Sequence, residues 1–145
     1  MKVFKRIKMK KLTTCLTAIL LNSFLMSCKK EITTVNTPIS SDLTTVYQGS
    51  FTTSAHPTSG TIKLSKDAAG KKYLVFDNFK TDAGPDLRVW LSDDLAATNY
   101  SEITNKVTNG TFQLDVNSSI DTDKKKKVLI WCKSFSVLFG SADLK

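Results

Sequence analysis

One histidine, three cysteines and three methionines stand in a chain of 145 residues, and these scarcities remove most site chemistry. A lone His56 permits neither a His-based metal cluster nor a His pair. No CxxC, no G-x-S-x-G and no glycine-rich phosphate loop occurs. A Cys–His dyad of His56 and Cys132 is the one nucleophilic arrangement left. With a single residue of each kind in the body of the chain, catalysis is the lesser expectation. Acidic charge is absent from residues 1–27, which hold Lys2, Lys5, Arg6, Lys8, Lys10 and Lys11. Those six of the 21 basic residues leave 15 against 13 acidic ones, so a net charge of +8 for the whole chain describes a nearly neutral body. Such a body gives no electrostatic case for nucleic-acid binding.

What is present begins with a targeting pattern. Lys2–Lys11 is a positive region and Leu12–Met26 an apolar stretch diluted by Thr, Asn and Ser. The stretch falls short of the roughly 20 residues a membrane span requires, and its flanks fit a secretory signal over residues 1–27. A buried helix is the alternative, and six cations without an acidic partner make poor helix design. The stretch ends Leu25-Met26-Ser27-Cys28, which resembles the lipobox of bacterial lipoproteins, with Met26 the departure from its usual small residue. The resemblance implies a lipidated Cys28, anchored stably once two or more acyl chains are attached, and a location in the cell envelope. Lys29 after that cysteine favours the outer membrane, with the body periplasmic or surface-facing. Cys15 leaves with the signal, so Cys132 is the only free thiol of the mature chain and no internal disulfide can form.

Residues 28–44, rich in Thr, Ser and Asn, cannot bury enough surface to offset their ordering entropy and read as a flexible tether. Residues 45–145 then form one domain, long enough for a core of its own. Period-2 alternation dominates there. It is clear at Thr61–Ser65, Thr111–Val116, Phe135–Phe139 and Leu87–Ser92, where Leu87, Val89 and Leu91 oppose Arg88, Trp90 and Ser92. Val46–Thr53, Tyr73–Asp77 and Lys127–Cys132 add further strands. Tyr73–Phe76 and Val128–Cys132 are apolar on both faces and read as central. Breakers at Pro57–Gly60, Asp67–Gly70, Asp82–Pro85, Asn109-Gly110 and Asn117–Ser119 separate the strands. The expected fold is all-β: a single antiparallel β-sandwich or small barrel of about seven to eight strands. Ser92–Lys106 is the least strand-like piece and suggests a helical turn.

Among polar residues, Asp82, Asp86, Asp93 and Asp94 crowd one stretch, but their spacing is not that of an EF-hand loop. They read as a solvated acidic loop. The Lys124–Lys127 run reads as a device that solubilises a turn and blunts a sheet edge. Cys132 follows an apolar strand, in phase with Val128 and Ile130, so its sulfur should point into a core or a pocket at the strand end. Most free cysteines are small buried hydrophobes. Lys133, adjacent in a strand, would face the other way.

Beyond these local signals, the ordered set Gly49, Phe51, His56, Ser59-Gly60-Thr61, Asp77-Asn78-Phe79, Asp82–Leu87, Val89–Ser92 and Ile130–Gly140 resembles the DM13 domain family, over about residues 47–144. G-P-D before a strand and W-C-x-x-F-x-V-x-F-G carry the likeness. The resemblance implies an extracytoplasmic all-β domain with a role proposed in electron transfer, a family that accompanies DOMON domains on animal cell surfaces. It implies that Cys132 acts as a naked thiol or holds a prosthetic group such as haem. With no CxxCH, a haem would take Cys132 or His56 as axial ligand. Met1, Met9 and Met26 all lie in the signal, which excludes a His/Met site. The expected role is therefore a membrane-tethered redox accessory centred on Cys132, with His56 as its candidate neighbour and a redox or envelope protein as partner. The alternative is a non-catalytic ligand-binding or adhesion module presenting Trp90, Arg88, Asp82 and Asp86. Replacing Cys28 by Ser should abolish fatty-acid labelling of the chain in metabolically labelled cells; label persisting on Cys28→Ser would contradict the anchor.

Overall fold

Alternating side chains with β-branched and aromatic residues on one face favour extended pairing, and eight such segments form. A computed structural model describes residues 42–145; the expected signal over 1–27, Cys28 and most of the expected tether lie outside the described residues. The strands are β1 (Thr44–Thr53), β2 (Thr58–Lys66), β3 (Lys72–Thr81), β4 (Leu87–Ser92), β5 (Tyr100–Thr104), β6 (Gly110–Val116), β7 (Lys127–Cys132) and β8 (Val137–Asp143). They form one antiparallel sheet in the order β5-β4-β7-β8-β1-β2-β3-β6. The two edge strands, β5 and β6, approach within 8 Å between Cα atoms, so the sheet is a nearly closed barrel.

β1 makes the closure possible by serving two partners. Six of its first seven residues pair with β2, around a register shift at Val46, and Phe51–Thr53 pair with β8. Gln48 and Lys145 extend the second ladder with reciprocal N–H···O bonds of 3.0 and 2.9 Å. Gly49 sits where β1 and β8 press together: a Cβ there would lie 2.2 Å from the Asp143 carbonyl oxygen. On the other side the sheet bends at two facing irregularities. β2 shifts register between Ser59 and Thr61, and β3 between Phe76 and Phe79. Gly60 has a φ of 109° and Asn78 one of 48°. A Cβ on Gly60 would meet the Phe79 Cα at 2.7 Å, so the bulge requires glycine both for its φ and for space. Asn78 donates its backbone N–H to Thr111 Oγ1 at 3.0 Å, which replaces the ladder bond lost at the bulge.

The inner face is one apolar core. Phe51, Phe76, Phe79 and Phe112 stack and edge-pack with centroid separations of 4.6 to 6.2 Å, and Leu87, Val89, Leu91, Val128, Ile130 and Cys132 continue it. β3 and β7 are each paired on both edges, and Val75 and Leu129 are buried on their second faces, as their continuous apolar runs predict.

Four expectations change. Ser92–Lys106 holds a strand, not a helical turn. β5 pairs Tyr100 with Ser92 and Glu102 with Trp90, turning Ile103 toward the core. Residues 58–60 belong to β2 rather than to a turn, because a bulge accommodates them. Phe135 lies in the β7–β8 turn, 69% exposed; Ser136, at a φ of 53°, breaks the alternation before β8 begins. The lysine run enters a central strand, so it blunts no edge. Lys125 instead donates to the Asn99 carbonyl and side-chain oxygens at 2.6 and 2.8 Å, Lys126 lies 4.0 Å over the Tyr47 ring, and Lys127 pairs with Asp143 at 2.7 Å. These contacts clamp the β6–β7 connection onto its neighbours. Gly49→Ala should lower unfolding free energy by about 1–3 kcal/mol through overpacking against β8, read as a shifted urea midpoint; an unchanged midpoint would contradict the close β1–β8 contact.

Candidate functional site

Cys132 closes β7 at the end of the barrel where the β1–β2, β3–β4 and β7–β8 loops gather. Alternation puts its side chain inward with Val128 and Ile130, and it is 0% exposed. Its register partners are Leu87 on β4 and Val137 on β8. The next residue turns away, with Lys133 donating its N–H to the Asp86 carbonyl at 2.9 Å. The thiol is thus a core side chain, sealed by the strands that flank it.

His56 lies at the same end but engages other groups. Its backbone N–H donates to the Phe139 carbonyl at 3.2 Å, its ring lies on Phe139 with centroids 3.9 Å apart, and Nδ1 is 3.4 Å from Asp82 Oδ2. The structure therefore joins His56 to Asp82 and Phe139, not to the thiol. Asp82 and Asp86 line a cleft of about 540 Å³ between the loops around 81–87 and 105–109. Asp86 is also tied down, accepting from Arg88 Nε at 2.6 Å.

Arg88 and Trp90 do oppose the Leu87/Val89/Leu91 stripe, but they are not free. Arg88 bridges Asp86 and, through Nη1 at 2.8 Å, Glu102. The hydrogen bond to Asp86, and then the one to Glu102, raise its pKa above the ordinary guanidinium value despite desolvation. Trp90 is 4% exposed. It stacks between Tyr100, at 3.8 Å and 16°, and Trp131, at 5.3 Å and 21°, and its Nε1–H donates to Glu102 Oε2 at 3.2 Å. Tyr100 and Glu102 were hidden from sequence reasoning because β5 was. A Tyr and a Glu two residues apart, on one face of a short extended segment, were the available signal.

A prosthetic group finds no place at Cys132. Its sulfur has no open approach for a macrocycle, the described cleft is walled by loop residues, and His56 Nδ1 faces Asp82. No buried side-chain nitrogen or oxygen lacks a partner among the described residues. Nor do three or more His, Cys, Asp or Glu gather as a metal site among them.

A family model described as electron transfer DM13 matches residues 50–144. The chain belongs to the DM13 family. Its eight-stranded barrel is accordingly the form the DM13 domain takes here, and membership points to an electron-transfer role. No curated protein and no solved structure matches the chain.

The sealed thiol has a direct consequence. Cys132 in the native domain should resist a water-soluble alkylating reagent and react only after unfolding. Cys132→Ala should cost about 1 kcal/mol through lost burial and a small cavity, and Cys132→Ser a further 1–3 kcal/mol or so for a buried hydroxyl without a partner. Native labelling at the rate of a free thiol would contradict the burial.

Proposed function

We propose that this DM13 domain is an extracytoplasmic electron-transfer accessory, held at the cell envelope through lipid on Cys28, with Cys132 as its candidate redox centre and a redox or envelope protein as its partner. The observation that carries the reading is the family match across nearly the whole domain. The Leu25–Cys28 sequence supports the anchor, and Lys29 supports the outer membrane. β1 runs ten residues from Thr44, roughly 30 Å, to the end that bears His56, Asp82 and Cys132.

Burial narrows how Cys132 could serve. Thiol–disulfide exchange needs a thiolate that can reach another sulfur, and a side chain with no exposed surface offers none. Haem ligation fails the fit described above. What remains is electron exchange through the packed protein, with the partner docked outside. A second reading, a ligand-binding or adhesion module, is favoured by the 540 Å³ cleft bearing Asp82 and Asp86.

Voltammetry of the full chain on an electrode separates the two. Electron transfer predicts a reversible protein signal that Cys132→Ala abolishes or shifts. A signal indifferent to Cys132→Ala would move the centre elsewhere, and an electrochemically silent protein would contradict electron transfer and favour the binding module.

A further inference from the structure

Both tryptophans of the chain and one of its three tyrosines meet in a single stack on the outside of the barrel. Tyr100, Trp90 and Trp131 come from three adjacent strands, β5, β4 and β7, and they lie apart from the core cluster that holds Cys132. Tyr100 is 43% exposed and Trp131 is partly exposed, so the stack reaches solvent at both ends with a buried indole between. Trp131 is the residue before Cys132.

Two chemical facts make the arrangement more than packing. With no methionine among the described residues, indole, phenol and the single thiol are the side chains that most readily give up one electron. An oxidised indole is also a far stronger acid than a neutral one, so its oxidation is eased by a base on its N–H. Trp90 has that base: Glu102 Oε2 accepts from Nε1 at 3.2 Å. The other carboxylate oxygen, Oε1, takes a hydrogen bond from Arg88 Nη1, which fixes the carboxylate toward the ring.

We propose that Tyr100, Trp90 and Trp131 form a one-electron relay along the outer face of β5, β4 and β7, with Trp90 as its proton-coupled member and Glu102 as the proton acceptor. The proposal rests on the electron-transfer reading and names the path and the class of partner: outer-sphere one-electron carriers docking at the two exposed ends. In the forward step an oxidised carrier takes one electron from the stack. The hole settles on Trp90, whose Nε1–H bond breaks as the proton passes to Glu102 Oε2, leaving a neutral indolyl radical and a carboxylic acid. In the return step a reduced carrier supplies one electron and the proton goes back to Nε1. The sum is one electron moved from the reduced to the oxidised carrier, with the protein unchanged.

Flash–quench oxidation of the full chain by photogenerated ruthenium(III) tris(bipyridine), followed by transient absorption and electron paramagnetic resonance, tests this. The expected product is a neutral tryptophan radical. Trp90→Phe, which retains a stacking ring, should lower its yield at least tenfold. Glu102→Gln keeps an acceptor for the N–H but cannot take its proton, so the radical should form more slowly and carry the cation spectrum. Equal yield in Trp90→Phe, or the same neutral radical at the same rate in Glu102→Gln, would overturn the relay, and the second variant decides the matter should the first not fold. The electrode experiment keeps the two claims apart. A silent electrode with a normal Trp90 radical contradicts the electron-transfer function alone. A normal electrode response with the same exchange rate in both variants contradicts the relay alone.

Discussion

The double pairing of β1 is the constraint on which the rest depends. Pairing first with β2 and then with β8 forces one strand to belong to two ladders, and the sheet must curl to satisfy both. The curl turns one face of all eight strands inward, which creates the phenylalanine cluster and encloses Cys132. Gly49 permits the close contact with β8, and the facing bulges at Gly60 and Asn78 add local bend on the other side. A barrel whose edges come together also limits the exposed edge available for pairing with other chains.

Closure divides the chemistry of the domain between two surfaces. Inside, the thiol is packed among apolar neighbours and has no exposed surface, so it has no contact with reagents or a docked partner. Outside, the face of β5, β4 and β7 carries its own ordered layer. Trp90 lies between Tyr100 and Trp131, and the carboxylates of Asp86 and Glu102 flank Arg88. Asp82 and His56 hold the loop end together by a half-exposed pair and a ring contact on Phe139. A function that involves electrons must therefore cross the sheet or travel along its outer face.

Much of this was legible in the sequence. The two-sided apolar runs at Tyr73–Phe76 and Val128–Cys132 placed the central strands, and the phase of Val128, Ile130 and Cys132 turned the thiol inward. The failures share one cause. β5 is short and half exposed, and its stability comes from pairing with β4 and from the ring of Trp90, neither of which is local information. Missing β5 left Trp90 looking like a free surface residue, when Tyr100 covers it. Phe135 continued a period-2 pattern that the left-handed backbone of Ser136 interrupts, and periodicity carries no signal for that. The lysine run resembles an edge device because strand order cannot be deduced from one strand's composition. Scarcity alone pairs His56 with the thiol; in the folded chain Asp82 and Phe139 hold it.

The Cys132 strand stays sealed in the native state, so that any electron exchange runs through protein rather than through an opened thiol. Native-state hydrogen exchange of the β7 amides measures this directly. The amides of Ile130, Trp131 and Cys132 should exchange only through global unfolding, with an opening free energy equal to that of the whole domain. Exchange at Cys132 through a local opening of much lower free energy would contradict it.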